Sequence, residues 1–125
     1  MKELRELIQS KLEEAIDIDV VYENFDDVIE KGITRFSYKL YTNYAGSDYD
    51  KNYTYRVNIL GFLERVRDDE ENTLEILDEA TKELVNKMKE LNIKSSYEDV
   101  SVNDNYRKIQ IQGEVMFNEL NKGLI

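Results

Sequence analysis

Two stretches of the chain carry apolar residues at the three- and four-residue spacing of an amphipathic helix. The first covers residues 2–16, and the second begins at Asn72 and ends near Asn92. Asn72, followed three residues later by Glu75, resembles a capping box, and the preceding acidic run suits the positive end of a helix dipole. The predicted buried stripes are Leu4, Leu7, Ile8, Leu12, Ala15 and Ile16 in the first helix and Leu74, Leu77, Ala80, Leu84, Met88 and Leu91 in the second.

Elsewhere the apolar residues alternate with polar ones, which is typical of half-buried strands. Long strands are predicted at residues 33–44, 53–63 and 109–117. Shorter β-branched segments at residues 17–22 and around Val100 and Val102 predict two more strands. Gly61 and Gly113 interrupt strand patterns, so each is expected to mark a bulge or the close approach of another backbone.

The resulting element order is α-β-β-β-α-β-β, and it predicts an α+β two-layer sandwich. We expect a mainly antiparallel sheet of about five strands with both helices on one face. The chain has 125 residues and shows no internal repeat, low-complexity stretch or linker, so a single domain over residues 1–125 is predicted.

Composition removes most catalytic chemistry. The chain has no cysteine, which excludes disulfides and thiol nucleophiles, and no histidine, which excludes the commonest general base and transition-metal ligand. The acidic residues lack the ordered spacing and glycine of a calcium-binding loop, and no pair of carboxylates stands out for acid–base catalysis. We therefore predict no catalytic, cofactor-binding or metal-binding residues, and a protein that binds or assembles rather than an enzyme.

Charge limits the partners further. The formal net charge is −10, and an acidic domain is repelled by phosphate backbones and by anionic lipid, so neither a specific nucleic acid nor a membrane is expected as a partner. The N-terminal sequence is charged throughout and has no apolar core typical of a signal peptide. The expected product is a soluble protein that starts in the cytoplasm.

Nine tyrosines are many for this length, and they offer candidate contact residues. Tyr38, Tyr53 and Tyr55 fall on the apolar face of their strands and are predicted to be core. Other tyrosines lie off that face or in residues 43–52, a polar stretch that predicts either a long hairpin loop or two flexible strand ends. A partner contact or ordinary strand packing explains them equally. The candidate interface residues are these tyrosines, the loop acids and the acidic run before the second helix, namely Tyr41, Tyr44, Asp48, Tyr49, Asp50, Asp68, Asp69, Glu70 and Glu71.

The acidic run at residues 68–71 has two interpretations. It is an ordinary solvated helix N-terminus, because anionic side chains favour that position, or it faces a partner.

The whole pattern resembles the phage tail terminator, or tail-completion, proteins of long-tailed bacteriophages. In that family an N-terminal helix leads into a strand, a long hairpin precedes a second helix, and a closing hairpin ends the domain. The matching stretches are residues 1–16, 35–40, 53–62, 72–91 and 106–120.

The resemblance implies a structural protein without cofactors. Such proteins form a six-fold ring that caps the completed tail tube, stops its polymerisation and offers a docking surface to the head–tail connector protein. The implied partners are further copies of the chain, the tail tube protein and the connector, and the implied location is the virion tail, assembled in the bacterial host cytoplasm. A ring lumen that passes DNA would gain from a net negative charge, because it would repel phosphate.

The alternative is an acidic protein that mimics DNA and inhibits a nucleic-acid enzyme. Such a protein needs acids in rows at phosphate-like spacing, whereas 17 basic residues are interspersed here.

Overall fold

A computed structural model describes residues 2–15, 19–22, 30–45, 54–69 and 72–116. The protein is α+β, with two helices and a mainly antiparallel sheet. Its elements in chain order are α1 (Lys2–Ala15), β1 (Asp19–Tyr22), β2 (Thr34–Ala45), β3 (Thr54–Val66), α2 (Thr73–Glu90), β4 (Lys94–Asp99) and β5 (Tyr106–Met116).

The strands form one sheet in the order β1-β2-β3-β5-β4. The four strands β2 to β5 pair antiparallel, whereas β1 adds to the edge of β2 in parallel. The β2–β3 hairpin is the longest unit, since its register is continuous from Thr34 opposite Arg65 to Ala45 opposite Thr54. Strand β4 therefore lies at one edge of the sheet and β1 at the other.

Both helices pack on the same face of this sheet. Ile8 and Leu12 of α1 and Leu84 of α2 are fully buried against the inward residues of the central strands. Each such side chain contributes roughly 1.5–3 kcal/mol by leaving water. The inward strand residues in the core are Val20, Phe36, Tyr38, Leu40, Val57, Ile59, Leu63, Ile109, Ile111 and Val115.

Helix α2 begins and ends where the sequence predicts. The Asn72 side chain accepts hydrogen bonds from the backbone N–H groups of Leu74 and Glu75, which confirms its role as N-cap. At the other end Asn92 adopts a left-handed conformation with φ 63°, and Ile93 N–H donates to the Met88 carbonyl at 2.8 Å. This is a Schellman ending, and the buried Ile93 anchors it to the core.

One position of the predicted stripe in α2 is wrong. Leu74 is 43% exposed, and Thr73 is buried in its place. Thr73 lies four residues before the buried Leu77, so it continues the stripe, whereas Leu74 is turned about 100° away around the helix axis.

The fourth strand is not at Val100 and Val102 as predicted. It covers Lys94–Asp99, and Val102 is 81% exposed in the turn that follows. Nearly every β4 residue is exposed, because the strand lies at the sheet edge and has little apolar surface to bury. The Asn103 side chain stabilises the turn before β5, since it accepts hydrogen bonds from the backbone N–H groups of Asn105 and Tyr106.

The two strand glycines do not mark bulges, because the strand registers pass through both without interruption. At Gly61 the space of a side chain is filled by the Phe36 ring, whose nearest atom lies 2.4 Å from where a Cβ would stand. At Gly113 the corresponding space is filled by the Ile93 side chain, whose nearest atom lies 2.7 Å from where a Cβ would stand. The close neighbour is thus a core side chain at both positions.

Candidate interaction surfaces

The sheet has an outer face, which we define as the face opposite the two helices. The odd-numbered residues of β2 and the even-numbered residues of β3, β4 and β5 lie on this face, as the register shows. Its apolar positions are partly covered by long basic side chains: the Lys108 ammonium lies 4.2 Å from the centroid of the Phe62 ring. The outer face is consequently polar with aromatic spots, a composition suited to contacts with other proteins.

Tyr41 is the predicted interface residue that the structure places most clearly. It lies on the outer face, is 42% exposed, and has the Lys39 ammonium 5.4 Å from its ring centroid. The prediction that Tyr41 lies off the apolar face is confirmed. Its ring borders a groove of about 450 Å³.

The groove runs across the outer face towards the β4 edge. It is lined by residues of all four neighbouring strands, including Leu60, Ser96, Gln112 and the charged residues Lys94 and Glu114. A second hollow of about 160 Å³ shares Ser96 and Gln112 with the first and continues along β4 and β5. Together they make a shallow, open channel beside an edge strand, which fits an extended polypeptide better than an enclosed small molecule.

A charged cluster is buried at the other end of the outer face. Glu64 lies opposite Arg35 in the β2–β3 register; its Oε1 is 3.0 Å from an Arg35 nitrogen, and its Oε2 accepts a hydrogen bond from the Tyr106 hydroxyl. The side chains of Glu64 and Arg35 are only 3% and 12% exposed. Burial, followed by the hydrogen bond to Glu64, raises the pKa of Tyr106 to about 12. Since both carboxylate oxygens are engaged by internal donors, this cluster holds the three strands β2, β3 and β5 together.

The acidic run precedes α2 as predicted. Asp69 is exposed and pairs with Lys31 at 3.4 Å. Asp68 lies beside Gly32, which has φ 81° and donates a backbone hydrogen bond to the Val66 carbonyl. The Asp68 and Asp69 carboxylates thus lie against the turn that leads into β2.

The remaining predicted interface residues are placed only in part. Asn43 and Tyr44 lie in β2, as the strand predicted over residues 33–44 and the alternative of strand ends imply, and β2 continues to Ala45. Tyr44 pairs with Tyr55 of β3, and the long hairpin holds Asn43 and Ala45 in register although Asn and Ala disfavour strands. The predicted interface residues Asp48, Tyr49, Asp50, Glu70 and Glu71 lie outside the described residues.

Tyr41 and the acidic run form two separate surfaces. Tyr41 is opposite Asn58, near the start of β3, whereas Asp68 follows the end of that strand at Val66. Eight residues of extended chain from Asn58 to Val66 span about 27 Å. A single side chain of a partner therefore cannot contact both the Tyr41 surface and the acidic run.

Sequence reasoning missed the exposed edge strand β4. Its sequence KSSYED has no apolar alternation, so the usual strand signal is absent. The available signal was positional, because the chain between the end of α2 at Glu90 and the turn at Asn103 must return along the sheet, and it contains Tyr97, a residue type that favours strands.

Within the described ranges, no group of three or more acidic side chains is arranged to hold a metal ion. Neither described helix is long and apolar enough to cross a bilayer. Comparison of the sequence with models of known protein families and with curated proteins gives no match.

Proposed function

We propose that this protein is a structural virion assembly protein, which caps the phage tail tube as an oligomeric ring and joins it to the head connector. The observation that supports this proposal best is the arrangement of elements. A helix and short strand precede a long in-register hairpin, a second helix follows, and the β4–β5 hairpin closes the fold. This is the arrangement on which the resemblance to tail terminators rests.

The exposed surfaces are consistent with an assembly role. Both helices pack on one sheet face, which leaves the groove beside Tyr41 and the β4 edge accessible. A subunit that sits between a tube and a connector needs at least two contact surfaces. The groove and the acidic run provide two that are separated along the hairpin by most of its length.

The alternative of a DNA-mimic protein is less well supported. Many described acids are engaged by cations, as for Glu64 with Arg35 and Glu114 with Arg56, and others pair with Lys31, Lys87 or Arg107. Such pairing reduces the phosphate-like potential that a mimic must present.

The proposal is tested in a tube-growth assay. Purified tail tube protein from the same phage is allowed to polymerise with substoichiometric amounts of this protein, and tube lengths are measured by electron microscopy. We expect growth to stop and one tube end to carry a ring. Tubes that elongate without change and carry no density at either end would contradict the proposal.

The same assay tests the groove. Tyr41→Ala is expected to raise the concentration needed for capping or connector docking about tenfold, the usual loss at an exposed aromatic contact residue. The matched control is Val102→Ala, which truncates another exposed apolar side chain, in a turn outside the groove. Equal capping and docking by both variants would remove Tyr41 from the interface while leaving the proposed function standing.

A further inference from the structure

Strand β4 presents an unusual sheet edge. It is six residues long, contains no proline, pairs with β5 without a bulge, and is exposed at every position except the half-buried Ser95. Edge strands usually carry devices that block further pairing, such as prolines, bulges or inward-pointing charges. Of these blocking devices β4 has only charged side chains. The positions of those charges therefore determine which strand can pair with its free edge.

The backbone polarity of β4 is fixed by its neighbour. Val100 N–H donates to the Lys108 carbonyl of β5 at 2.9 Å, so backbone groups of the even-numbered β4 residues point inward, towards β5. The N–H and C=O groups of Ser95 and Tyr97 consequently point away from the sheet, where no described strand pairs with them. Two residues of the same strand therefore offer donors and acceptors to an incoming strand.

The side chains on the outer face of β4 have the pattern positive, neutral, negative. Lys94 and Glu98 are exposed at the two ends, with Ser96 midway between them. Neither charged side chain has an ion-pair partner within the described part of the chain. An antiparallel copy of the same strand, centred on Ser96, would bring each Lys94 opposite the other Glu98.

From this arrangement we propose that β4 pairs antiparallel with β4 of a second copy, forming a closed two-fold dimer with a continuous ten-stranded sheet. In this register Ser95 of each copy faces Tyr97 of the other, so their outward backbone groups form four hydrogen bonds. The exposed Tyr97 ring then lies over the small Ser95 side chain on the helix side of the sheet. Parallel pairing of two β4 strands in register would instead place Lys94 beside Lys94 and Glu98 beside Glu98. This repulsion disfavours parallel pairing and the open-ended assemblies that it could build.

The dimer is a property of the free protein, and it goes beyond the proposed role at the tail tube. Its test needs no phage component, so dimerisation and tube capping can fail independently. The interface is limited to one strand and a few side chains, which is small among protein interfaces. We therefore expect reversible dimers whose dissociation is measurable by analytical ultracentrifugation.

Charge exchange tests the register. Lys94→Glu and Glu98→Lys each place like charges opposite one another twice, so each is expected to raise the dimer dissociation constant at least tenfold. The combined Lys94→Glu and Glu98→Lys protein restores both pairs and should return to within about threefold of the original value. Both positions are exposed, so circular dichroism should show an unchanged fold in all three variants.

A cross-link locates the contact directly. The natural chain has no cysteine, and paired Ser96 residues would have Cα atoms about 4.5 Å apart, within the range of a disulfide. Under mild oxidation Ser96→Cys should therefore form a covalent dimer rapidly, whereas Val102→Cys, exposed but outside the strand, reports collisional cross-linking alone. A protein that stays monomeric at millimolar concentration, a dimer indifferent to the charge exchanges, or equal cross-linking at the two positions would each overturn the proposal.

Discussion

Glu64 shows how a single residue can be decisive on the outer face of a sheet. Its carboxylate is buried, is paired with Arg35, and accepts a hydrogen bond from Tyr106. Glu114 is also paired with an arginine on the same face, but its side chain and that of Arg56 are about half exposed. The two pairs have the same chemistry and differ in burial, so they form a natural comparison.

We predict that Glu64→Gln lowers the free energy of unfolding by about 3 kcal/mol, because it removes the buried carboxylate that pairs with the Arg35 guanidinium. Glu114→Gln should cost less than about 1 kcal/mol, since its pair is solvated. Urea denaturation of the three proteins measures both values. Equal losses would show that burial does not distinguish the two pairs.

Two tyrosines, the buried Tyr38 and the half-buried Tyr106, are expected to affect stability at alkaline pH. Burial raises the pKa of Tyr38 far above its ordinary value of about 10, and burial with the Glu64 hydrogen bond raises the pKa of Tyr106 to about 12. Below pH 10 both groups are protonated in the folded and unfolded states, and their contribution to stability is fully present. As the pH rises from 10 through the folded-state values, the unfolded chain loses protons first and that contribution is lost.

The free energy of unfolding should therefore fall steeply above pH 10. Tyr106→Phe removes one titrating group, so the fall between pH 10 and 12 should become shallower, by at most about 1.4 kcal/mol per pH unit. Val102→Ala, which changes an exposed side chain that carries no titrating group, is the control and should leave the slope unchanged. Denaturant titrations at a series of pH values supply the slopes. An identical slope in all three proteins would refute this assignment.

The alternation of apolar and polar residues predicted which face of the sheet a side chain lies on, but not which other residues it contacts. Alternation along β2 placed Tyr38 inside and Tyr41 outside, as observed, because side chains of a regular strand must alternate. It could not reveal the Glu64–Arg35 pair, which joins residues 29 positions apart through the register of a hairpin. Register depends on all the cross-strand pairs together, and no one residue in the sequence specifies it.

At the scale of elements, the helix ends were predictable because local chemistry defines them. At the start of α2 the Asn72 side chain accepts hydrogen bonds from the first free backbone N–H groups. At its end the left-handed backbone of Asn92 terminates the helix. The position of β4 was predicted wrongly because an exposed edge strand needs no apolar residues. The β-branched residues Val100 and Val102 therefore shifted the prediction towards the turn that follows. Residues 43–45 were open between a loop and a strand end, and pairing with β3 holds them in the strand against their local preference.

The N-cap of α2 is expected to stabilise the element measurably. Asn72→Ala removes the acceptor for two backbone N–H groups and should cost about 1 kcal/mol of unfolding free energy. Asn72→Asp retains an acceptor at the helix N-terminus and should cost much less. Thermal or urea unfolding distinguishes the variants. A loss in Asn72→Asp as large as that in Asn72→Ala would contradict the capping role.

For the whole molecule, the sequence supplied the α+β class, the two helices and their common packing face, all of which are visible as periodicity. The surfaces offered for binding depend on the assembled sheet: the groove beside Tyr41 draws on four strands, and the β4 edge exists only because β5 precedes it in the strand order. The proposed function rests on those surfaces and on the resemblance to tail terminators, and it is therefore tested by assembly.

The proposed role is tested most directly by native mass spectrometry of the protein mixed with tail tubes of the phage to which that role would assign it, separated from unbound subunits. We predict a defined complex in which six copies of this chain occupy one tube end, stable enough to be isolated with the tube. Isolated tubes that carry no copies of the chain, or copies bound along their length in no fixed number, would contradict a role as the ring that ends the tail.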